Sequence, residues 1–384
     1  MRIVILNTNS FGGNYEYSRC IANEYVKHTD VTSCVVLIPE NADNREDTVF
    51  KKVLISDILK TDSVLLRKVY FIYRSIVNPI KVYRYLKNQP ASTVLFNDYE
   101  QITSIVWVPL FKRLKRKHTF AVILHDPDRD NYFPFKWLSA YTMHAVMRIM
   151  DIAFYHGYLP DKKYYTFNIP KVEIPHGLYV HETFDTDLYN LLVKRKGVSH
   201  LMGVIGNIRD EKNYTFLIES LLDLPNAILV IAGSPSNSDV PIHVYKKQIE
   251  QLGLEHQVIW IEKRLSDDEI QSVILACDLI LLYYKHSFTS QSGILNLIAP
   301  HKKKLIVSDG TSALTRTVDT FKIGVVVPIS KESFVHSVLN LFDETNKDEH
   351  IAMWDNYLAY ASWKSNVDTV LAHVNAFSHK NEIV

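Results

Sequence analysis

Short β-branched runs alternate with longer amphipathic stretches along this chain, and this alternation constrains the fold more than any other feature. The runs are RIVIL, SCVVLI, STVLFN, FAVILH, IAFYH and VEIPH in the first half, and LMGVIG, AILVIAG, QVIWIE, LILLYY, KKLIVSD and IGVVVP in the second. Such alternation is typical of parallel strands joined by helical crossovers. The sequence therefore predicts an α/β fold with two doubly wound, Rossmann-like domains.

Two domains also fit the length of the chain, because 384 residues exceed what one ordinary hydrophobic core supports. The predicted domains are 1–182 and 200–353, with a polar stretch that has no strand signal between them. A last predicted helix, around 354–372, has no strand after it. In two facing domains of this kind, ligands bind at the carboxyl ends of the strands. Functional residues are therefore expected in strand-end loops that open towards an interdomain cleft.

Cysteine content and hydropathy restrict the class of protein. The three cysteines, Cys20, Cys34 and Cys277, follow no metal-ligand spacing and suggest no disulfide framework. The N-terminal apolar run is too short for the core of a signal peptide. No window approaches the roughly 20 apolar residues that span a bilayer. A cytoplasmic protein is therefore expected, with any membrane contact made at its surface.

Positive charge is concentrated in one part of the first half. Between Lys60 and Lys117 there are 12 Lys or Arg residues and three acidic residues, although the net charge of the chain is +1. Within this part, segments 66–87 and 111–118 mix cations with aromatic or apolar residues, which is typical of a membrane-interface helix. A solvated helix that is broken at Pro79 and buries its aromatic rings is the alternative. No nucleic-acid motif accompanies the charge, so nucleic acid is not an expected partner.

Two glycine-containing loops connect a strand to a helix and are candidate ligand sites. Gly12 and Gly13 follow the first strand, where glycine allows close backbone approach to a ligand at a helix N-terminus. A tight turn without a ligand is the alternative. The second loop, Gly206–Asn213, places Arg209 and Lys212 beside helix amides. A guanidinium fork, an ammonium group and a helix N-terminus together suit a diphosphate, and a solvated basic turn is the alternative.

From the second loop onward the sequence resembles glycosyltransferase family 4, whose C-terminal domains place a glycine, a few residues and then a lysine before a helix. The segments AILVIAGSP, LGLEHQVIWIEKRLSDDEIQSVILACDLILLYY and TFKIGVVVP, with Ser308-Asp309 between the last two, look like further motifs of that family. The resemblance covers roughly 200–372 well and the first half loosely. It implies a GT-B fold, with the nucleotide-sugar donor bound by the C-terminal domain and the acceptor by the N-terminal domain. It also implies a closing helix, about 354–384, that crosses back to the N-terminal domain.

The sequence departs from the family at a pair of glutamates that are normally separated by seven residues. Phe288 and Asn296 occupy their places, and the second glutamate usually binds the donor ribose. An asparagine still offers a hydrogen bond to a hydroxyl group. The small residues before it offer hydroxyl and amide groups to phosphate, with ordinary helix capping as the alternative. The predicted donor-binding residues are Gly12, Gly13, Gly206, Asn207, Arg209, Lys212, Thr289, Ser290, Gln291, Ser292, Gly293 and Asn296.

His125 ends the strand FAVILH, and a histidine of the family often lies at a comparable strand end facing the donor sugar. The resemblance implies that His125 orients the sugar while Arg209 and Lys212 stabilise the departing diphosphate, with retention of anomeric configuration. A purely structural histidine is the alternative. Asp126 and Asp128 imitate a metal-binding Asp-x-Asp pair. Because two cations already face the diphosphate, neither a metal nor another cofactor is expected.

The predicted function is transfer of a hexosyl group from a nucleotide-diphosphate sugar to a glycan or lipid-linked acceptor. The setting expected for it is bacterial surface polysaccharide or glycoconjugate biosynthesis, with segments 66–87 and 111–118 at an anionic membrane surface. The fold does not fix the chemistry, so an inverting transferase or an epimerase remains open. The missing glutamates also leave open a non-catalytic GT-B subunit that binds a partner or a glycan.

Overall fold

The structure is a computed structural model that describes residues 1–43, 49–132, 135–236, 240–343 and 349–382. The chain divides into two compact units. Unit 1 contains Met1–Gly177 and the chain from Trp363 onward, and unit 2 contains Leu178–Ser362. The sequence-based bounds of 182, 200 and 354 differ from these positions, for reasons found in the helices at the borders.

Unit 1 is built on a seven-stranded, fully parallel sheet. In chain order its elements before the border are β1 (Arg2–Leu6), α1 (Gly13–Lys27), β2 (Ser33–Pro39), β3 (Phe50–Leu54), α2 (Val64–Lys87), β4 (Thr93–Phe96), α3 (Ser104–Lys112), β5 (Thr119–Leu124), α4 (Lys136–Ile149), β6 (Ile152–Tyr155) and β7 (Lys171–Glu173). The strand order is β3-β2-β1-β4-β5-β6-β7. The order therefore reverses between β1 and β4, which is the topological switch point of this sheet.

Unit 2 repeats the architecture with six parallel strands. Its elements are α5 (Thr186–Lys196), β8 (His200–Ile205), α6 (Tyr214–Ser220), β9 (Ala227–Gly233), α7 (Ile242–Leu252), β10 (Val258–Glu262), α8 (Asp267–Ala276), β11 (Leu279–Leu282), α9 (Gly293–Ile298), β12 (Lys304–Ser308), α10 (Ala313–Phe321), β13 (Val325–Val327), α11 (Lys331–Phe342) and α12 (Glu349–Tyr360). The strand order is β10-β9-β8-β11-β12-β13, so the switch point lies between β8 and β11.

Each sheet is covered by apolar side chains on both faces. In β1, Ile3 and Ile5 belong to one buried cluster and Val4 belongs to the cluster on the opposite face. In β9, Val230 and Leu229 likewise belong to buried clusters on opposite faces of the sheet. Residues that alternate along a strand point to opposite faces, and parallel sheets are normally buried on both. The continuous apolar runs in the sequence therefore correspond to strands at the centre of three-layered units.

The helices at the borders explain why the units differ from the sequence-based domains. The polar stretch after 182 contains α5, whose Leu192 is buried in the core of unit 2. Trp354 and Tyr357 of α12 are buried in that same core, so α12 belongs to unit 2 rather than to a crossover helix. The last predicted helix is in fact two helices, because the chain turns at Ser362 before α13 (Trp363–Glu382) begins.

Helix α13 is attached to unit 1 by polar and apolar contacts. The side-chain amide of Asn366 donates to the hydroxyl of Tyr17 and to the carbonyl of Pro175, each at 2.7 Å. Val367 and Val370 are buried in the same cluster as β1 and α1. The predicted return of the last helix to the N-terminal unit is therefore present, starting at Trp363. Among the described helices, none combines the length and hydropathy needed to cross a membrane.

Helix α2 runs without a break through Pro79, contrary to the sequence-based alternative of a helix broken there. A proline inside a helix leaves the carbonyl four residues earlier without its usual donor. That carbonyl belongs to Ser75, and the hydroxyl of Thr103 donates to it at 2.7 Å. A side chain from the neighbouring loop thus replaces the missing backbone hydrogen bond, which the sequence of α2 alone does not reveal.

Candidate active site

The loops at the switch point of unit 2 come together around the predicted diphosphate site. β8 pairs with β9 on one side and with β11 on the other. After β11, the amide of Lys285 donates to the carbonyl of Glu211 at 2.7 Å, and its ammonium group contacts Asp210 at 2.6 Å. The loop that carries Arg209 and Lys212 is thereby fixed to the loop that precedes α9.

Gly206 allows the chain to turn sharply at the end of β8. Its φ of +92° lies in the region that favours glycine. A side chain there would also approach Ile294 of α9 and the ammonium group of Lys212, at 3.2 and 3.6 Å from its Cβ. The glycine that leads the predicted motif therefore leaves room for the lysine six residues later, while the next residue, Asn207, is exposed.

Lys212 is a buried cation, with only 5% of its surface exposed. Its ammonium group donates to the carbonyl of Ile205 at 2.6 Å, so its partner is neutral rather than a carboxylate. Burial, followed by the nearby charge of Arg209, lowers the pKa of Lys212 to about 7. A charged group held in this way is costly unless an anion accompanies it. The site is therefore prepared to bind a negatively charged ligand.

Arg209 lies beside Lys212 but is only partly buried. Its guanidinium group is 3.6 Å from the carboxylate of Glu211 and 5.9 Å from the ring centroid of Phe288. Phe288 in turn stacks on Tyr284, with ring centroids 4.0 Å apart. The residue in the place of the family's first glutamate thus supports the arginine through its ring, and it offers no hydrogen bond to a ligand.

The serine-rich segment before α9 is held in place by hydrogen bonds from its backbone and from the Gln291 side chain. The carbonyls of Thr289 and Ser290 accept from residues at the start of α10, and the Gln291 side chain bonds Thr317 and the amide of Ser292. Ser292 lies immediately before α9, and Gly293 is its first residue, as the sequence suggests. Ser292 is buried, and its hydroxyl lies 3.2 Å from that of Tyr284. The phosphate-binding roles of these five residues remain predictions.

Asn296, the predicted ribose ligand, is buried and bound to two other parts of unit 2. It is 0% exposed, and its side-chain oxygen accepts from the hydroxyl of Tyr357 in α12 at 2.6 Å. Its backbone carbonyl accepts from the amide of Tyr179. Asn296 therefore connects α9 to α12 and to the start of unit 2. Its Nδ2 is buried and has no hydrogen-bond partner among the described residues, and its predicted contact with the donor ribose stays a prediction.

His125 lies at the carboxyl end of β5, within an aromatic cluster of unit 1. Its Nε2 is 2.8 Å from the side-chain oxygen of Asn97, and its ring is 4.6 Å from that of Tyr17. His156 and His176 extend the cluster, each within 5.6 Å of Tyr17. Burial lowers the pKa of His125 to about 3, so the ring is neutral and Nε2 carries the proton donated to Asn97.

A polar group at the switch point of unit 1 was not predicted from the sequence. Asp98, which follows β4, accepts from Thr8 and Asn9 of the glycine loop, each at 2.5 Å. Burial raises the pKa of Asp98, and of Glu100 to about 7. Two acidic residues, two positions apart directly after a buried strand, were the sequence pattern that could have indicated this polar group.

The glycine pair of that loop lies at the start of α1. Gly12 has a φ of +86° and directly precedes the helix, and Gly13 is its first residue. Neither would bring a Cβ within 4 Å of another group. The space in front of them is therefore open, as ligand binding requires, and the predicted contact remains untested.

The Asp-x-Asp sequence does not form a metal cluster in the described part of the chain. Asp128 is 2.9 Å from the ammonium group of Lys162, which also contacts Asp130. Across the described residues, no group of three or more His, Cys, Asp or Glu side chains is placed to hold a metal ion. The prediction of metal-independent chemistry stays open to experiment.

Residues 194–353 match the family model described as glycosyl transferases group 1. A comparison with curated proteins found no match. Anabaena HepE in complex with UDP and glucose is 15% identical, with a TM-score of 0.68 and 98% of each chain covered. Sucrose-phosphate synthase from Thermosynechococcus elongatus is 11% identical, with a TM-score of 0.70 and coverage of 98% of this chain and 99% of that chain.

A third similar structure is the trehalose-phosphate synthase of Burkholderia vietnamiensis, which is 11% identical, with a TM-score of 0.69, covering 100% of this chain and 99% of that chain. Identities this low show the fold alone, and they extend over nearly the whole chain. The predicted fold class is therefore confirmed. The protein has the GT-B fold, and its segment 194–353, which contains the Arg209 and Lys212 loop and α9, is similar to glycosyl transferases of group 1.

Proposed function

We propose that the protein is a glycosyltransferase of the family 4 type, which transfers a hexosyl group from a nucleotide-diphosphate sugar with retention of configuration and without a metal. The observation that carries the proposal is the buried Lys212 beside Arg209 at the switch point of unit 2. Both lie in the segment that is similar to glycosyl transferases of group 1. A diphosphate is the ligand whose charge compensates these two cations.

Departure of the diphosphate is the step that the two cations assist. As the bond between the sugar and the diphosphate breaks, negative charge grows on the leaving phosphate oxygen. Lys212 is already held by the Ile205 carbonyl, and Arg209 already lies against Phe288. Because both positive charges are in place before the reaction, they stabilise the leaving group more than the bound donor. The acceptor hydroxyl attacks from the same face, so the scheme needs no carboxylate base in unit 2.

His125 is proposed to contact the transferred sugar. Its Nε2–H is committed to Asn97, which leaves Nδ1 of the neutral ring as a hydrogen-bond acceptor. A sugar hydroxyl is a suitable donor to that atom. Tyr17 packs against the ring edge and limits its rotation. His125 is thus a positioning group for the donor sugar and does not act as a base in this scheme.

A non-catalytic GT-B subunit is the second candidate, and the burial of Asn296 favours it. No glutamate or exposed asparagine stands where the family usually binds ribose. A subunit of this kind would bind a partner or a glycan without cleaving a donor. An inverting transferase or an epimerase differs instead in the product that it forms.

UDP binding and donor hydrolysis test these alternatives. UDP is the first ligand to try, because similar structures contain it. UDP should raise the melting temperature of the purified chain, since a ligand that binds only the folded state stabilises it. Slow release of sugar from a nucleotide sugar would exclude the non-catalytic subunit, and the anomer of the product would separate retention from inversion. Failure to bind any nucleoside diphosphate would refute the proposal.

We further propose that the acceptor is linked to a lipid, in surface polysaccharide or glycoconjugate synthesis at the inner face of the membrane. Support comes from exposed apolar side chains at the starts of α2, α3 and α4, which pack in sequence on one another. We name this set the interfacial surface. It consists of Val64, Leu65, Leu66, Val69, Phe71, Ile72, Tyr73, Ile102, Ile105, Val106, Phe135, Trp137 and Tyr141. Exposed apolar side chains this numerous mark an interaction site.

The interfacial surface changes which parts of the basic segments are expected to contact lipid. Arg67 and Lys68 are exposed within it, which suits anionic head groups. In segment 111–118, Phe111, Leu114 and His118 are buried, so that segment contributes cations but few apolar contacts. Contact with lipid is therefore expected to depend on the start of α2 more than on 111–118.

Vesicle flotation tests the interfacial surface. Leu65→Glu combined with Trp137→Glu should abolish flotation with vesicles that contain anionic lipid, because two charges would enter the apolar layer. Val198→Glu, at a fully exposed apolar residue of unit 2, is the matched control. Wild-type protein that stays with the soluble fraction at low salt would favour a soluble acceptor.

A further inference from the structure

The ammonium group of Lys212, in the loop after β8, has few interactions that hold it in the charged form. Only 5% of the Lys212 surface is exposed, so water does little to stabilise the charge. Its hydrogen bond runs to the backbone carbonyl of Ile205, at 2.6 Å. A neutral amine also has N–H groups that donate to a carbonyl, so this hydrogen bond persists when the proton is lost. The contact therefore positions the nitrogen without fixing its charge.

The two carboxylates of the same loop are each paired with another cation. Asp210 is 2.6 Å from the ammonium group of Lys285, and Glu211 is 3.6 Å from the guanidinium group of Arg209. The positive charge of Arg209 further disfavours a proton on Lys212. The acidic residues that precede Lys212 in the sequence therefore neutralise its neighbours rather than Lys212 itself.

The side chains that face this loop from neighbouring elements are aromatic or aliphatic. Tyr214 of α6 and Tyr284 after β11 lie near it, and burial raises the pKa of both phenols. Both phenols are therefore neutral near pH 7. A Cβ at Gly206 would lie 3.2 Å from Ile294 of α9 and 3.6 Å from the Lys212 ammonium group, so α9 presents an aliphatic side chain on that side.

These surroundings favour a neutral amine in the ligand-free protein and an ammonium group in the complex. Burial, and then the charge of Arg209, lowers the pKa of Lys212 to about 7, so the free site carries both forms near neutral pH. A diphosphate beside the nitrogen supplies a compensating negative charge and raises that pKa again. A group whose pKa rises on binding takes up a proton, and the ligand then binds more tightly at lower pH.

We propose that binding of the nucleotide-sugar donor in unit 2 is coupled to the uptake of one proton by Lys212. The lone pair of the amine forms a new N–H bond with a proton from solvent, the charge of the site rises by one, and no bond of the donor changes. The inference rests on the proposed function, because it takes a nucleotide diphosphate as the ligand of this site. It adds a regulation of that site: above pH 7 the donor binds more weakly, although its own diphosphate keeps its charge.

Isothermal titration calorimetry with the full chain measures the number of protons. UDP-glucose, GDP-mannose and ADP-glucose are first compared by thermal shift, and the tightest ligand is used. Each has a diphosphate that is esterified at both ends, so its phosphates take up no proton near neutral pH, whereas the terminal phosphate of free UDP does. Titrations at pH 6 and at pH 8 are each made in two buffers with different heats of ionisation. The difference between the two measured heats gives the number of protons taken up.

Close to one proton should be taken up at pH 8 and about one tenth of a proton at pH 6, since Lys212 of the free protein is mostly neutral at pH 8 and mostly charged at pH 6. The Kd should be about tenfold higher at pH 8 than at pH 6. Lys212→Arg should bind at both pH values without proton uptake, because a guanidinium group stays charged over this range. If Lys212→Arg fails to fold or to bind, the wild-type proton count still decides.

Two matched variants separate Lys212 from other groups that titrate near neutral pH. Glu100→Gln removes the carboxyl of unit 1 whose pKa burial raises to about 7. His286→Gln removes an exposed imidazole that follows Lys285 and contacts Asp309 at 2.8 Å. Both variants should keep the proton uptake of the wild type.

Each contrary result has a distinct meaning. Binding without proton uptake at pH 8, or with the same Kd at both pH values, would remove the coupling and leave the donor site in place. Uptake that persists in Lys212→Arg, or that disappears in Glu100→Gln or His286→Gln, would assign the proton to another group and overturn the inference. If none of the three nucleotide sugars binds, the proposed function fails together with the inference.

Discussion

Replacing Lys212 with methionine should make the ligand-free protein more stable while removing its affinity for diphosphate. Burial lowers the pKa of Lys212 from 10.5 to about 7, which corresponds to about 5 kcal/mol against the charged form. Methionine has a similar length and no charge. It loses the hydrogen bond to the Ile205 carbonyl, which costs about 1 kcal/mol. The expected net gain near pH 7 is therefore a few kcal/mol.

The gain should appear as a rise in melting temperature. For a unit the size of unit 2, each kcal/mol corresponds to roughly 2–4 °C, so an increase of about 5–15 °C is expected. The gain must also depend on pH. The unfolded lysine is charged below its ordinary pKa, and the folded one only below about 7. The buried charge therefore lowers the free energy of unfolding by its full amount below pH 7 and by progressively less towards pH 10.5. The stabilisation by Lys212→Met should decrease over that range.

Differential scanning fluorimetry from pH 6 to pH 9, with and without UDP, measures all three effects. Lys285→Met is the matched control, because Lys285 is more exposed and is paired with Asp210. This control should show neither the rise nor the pH dependence. A Lys212→Met protein that melts at or below the wild-type temperature throughout the range, or that still responds fully to UDP, would refute the reasoning.

Four further results are expected. Arg209→Ala should slow transfer by about tenfold to a thousandfold in a steady-state assay, because the leaving group loses one of its two cations; unchanged turnover would contradict this. His125→Ala should lower turnover with UDP affinity preserved by calorimetry, and equal loss of both would indicate a structural role. EDTA should leave activity intact, and rescue by magnesium or manganese would disprove metal independence. Glu100→Gln should stabilise the chain more at pH 8 than at pH 5, because burial raises the pKa of the Glu100 carboxyl to about 7 and the folded protein carries its charge only at the higher pH. Equal shifts in melting temperature at the two pH values would contradict this.

The sequence predicted the sheets better than the borders of the units. Strands such as β1 and β9 are continuous apolar runs, and burial on both faces makes such runs recognisable. The loop with Arg209 and Lys212 was also predictable, because glycine, cations and a following helix are neighbours in sequence. Helix α5 was missed because few of its residues are buried, and only its contact with unit 2 identifies its place.

The remaining features depend on contacts between distant parts of the chain. Thr103 supports α2 at Pro79 from another element, so no pattern within α2 reveals that the helix continues. Asn296 matches a family position, and its side-chain oxygen accepts a hydrogen bond from Tyr357, 61 residues later. Hydrogen bonds of this kind follow from tertiary packing, which local sequence patterns do not report.

The composition of unit 1 from two separate stretches of chain has a consequence for synthesis on the ribosome. Unit 2 is one continuous stretch, so its core is complete when Ser362 has left the exit tunnel. Unit 1 must wait for α13, whose Val367 and Val370 cover apolar residues of α1 and β1. Trp363 also lies so close to Gly177 that a Cβ there would overlap its indole. Unit 1 therefore completes its core later than unit 2, although most of it is synthesised earlier, and its apolar face stays open to chaperones until α13 has been made.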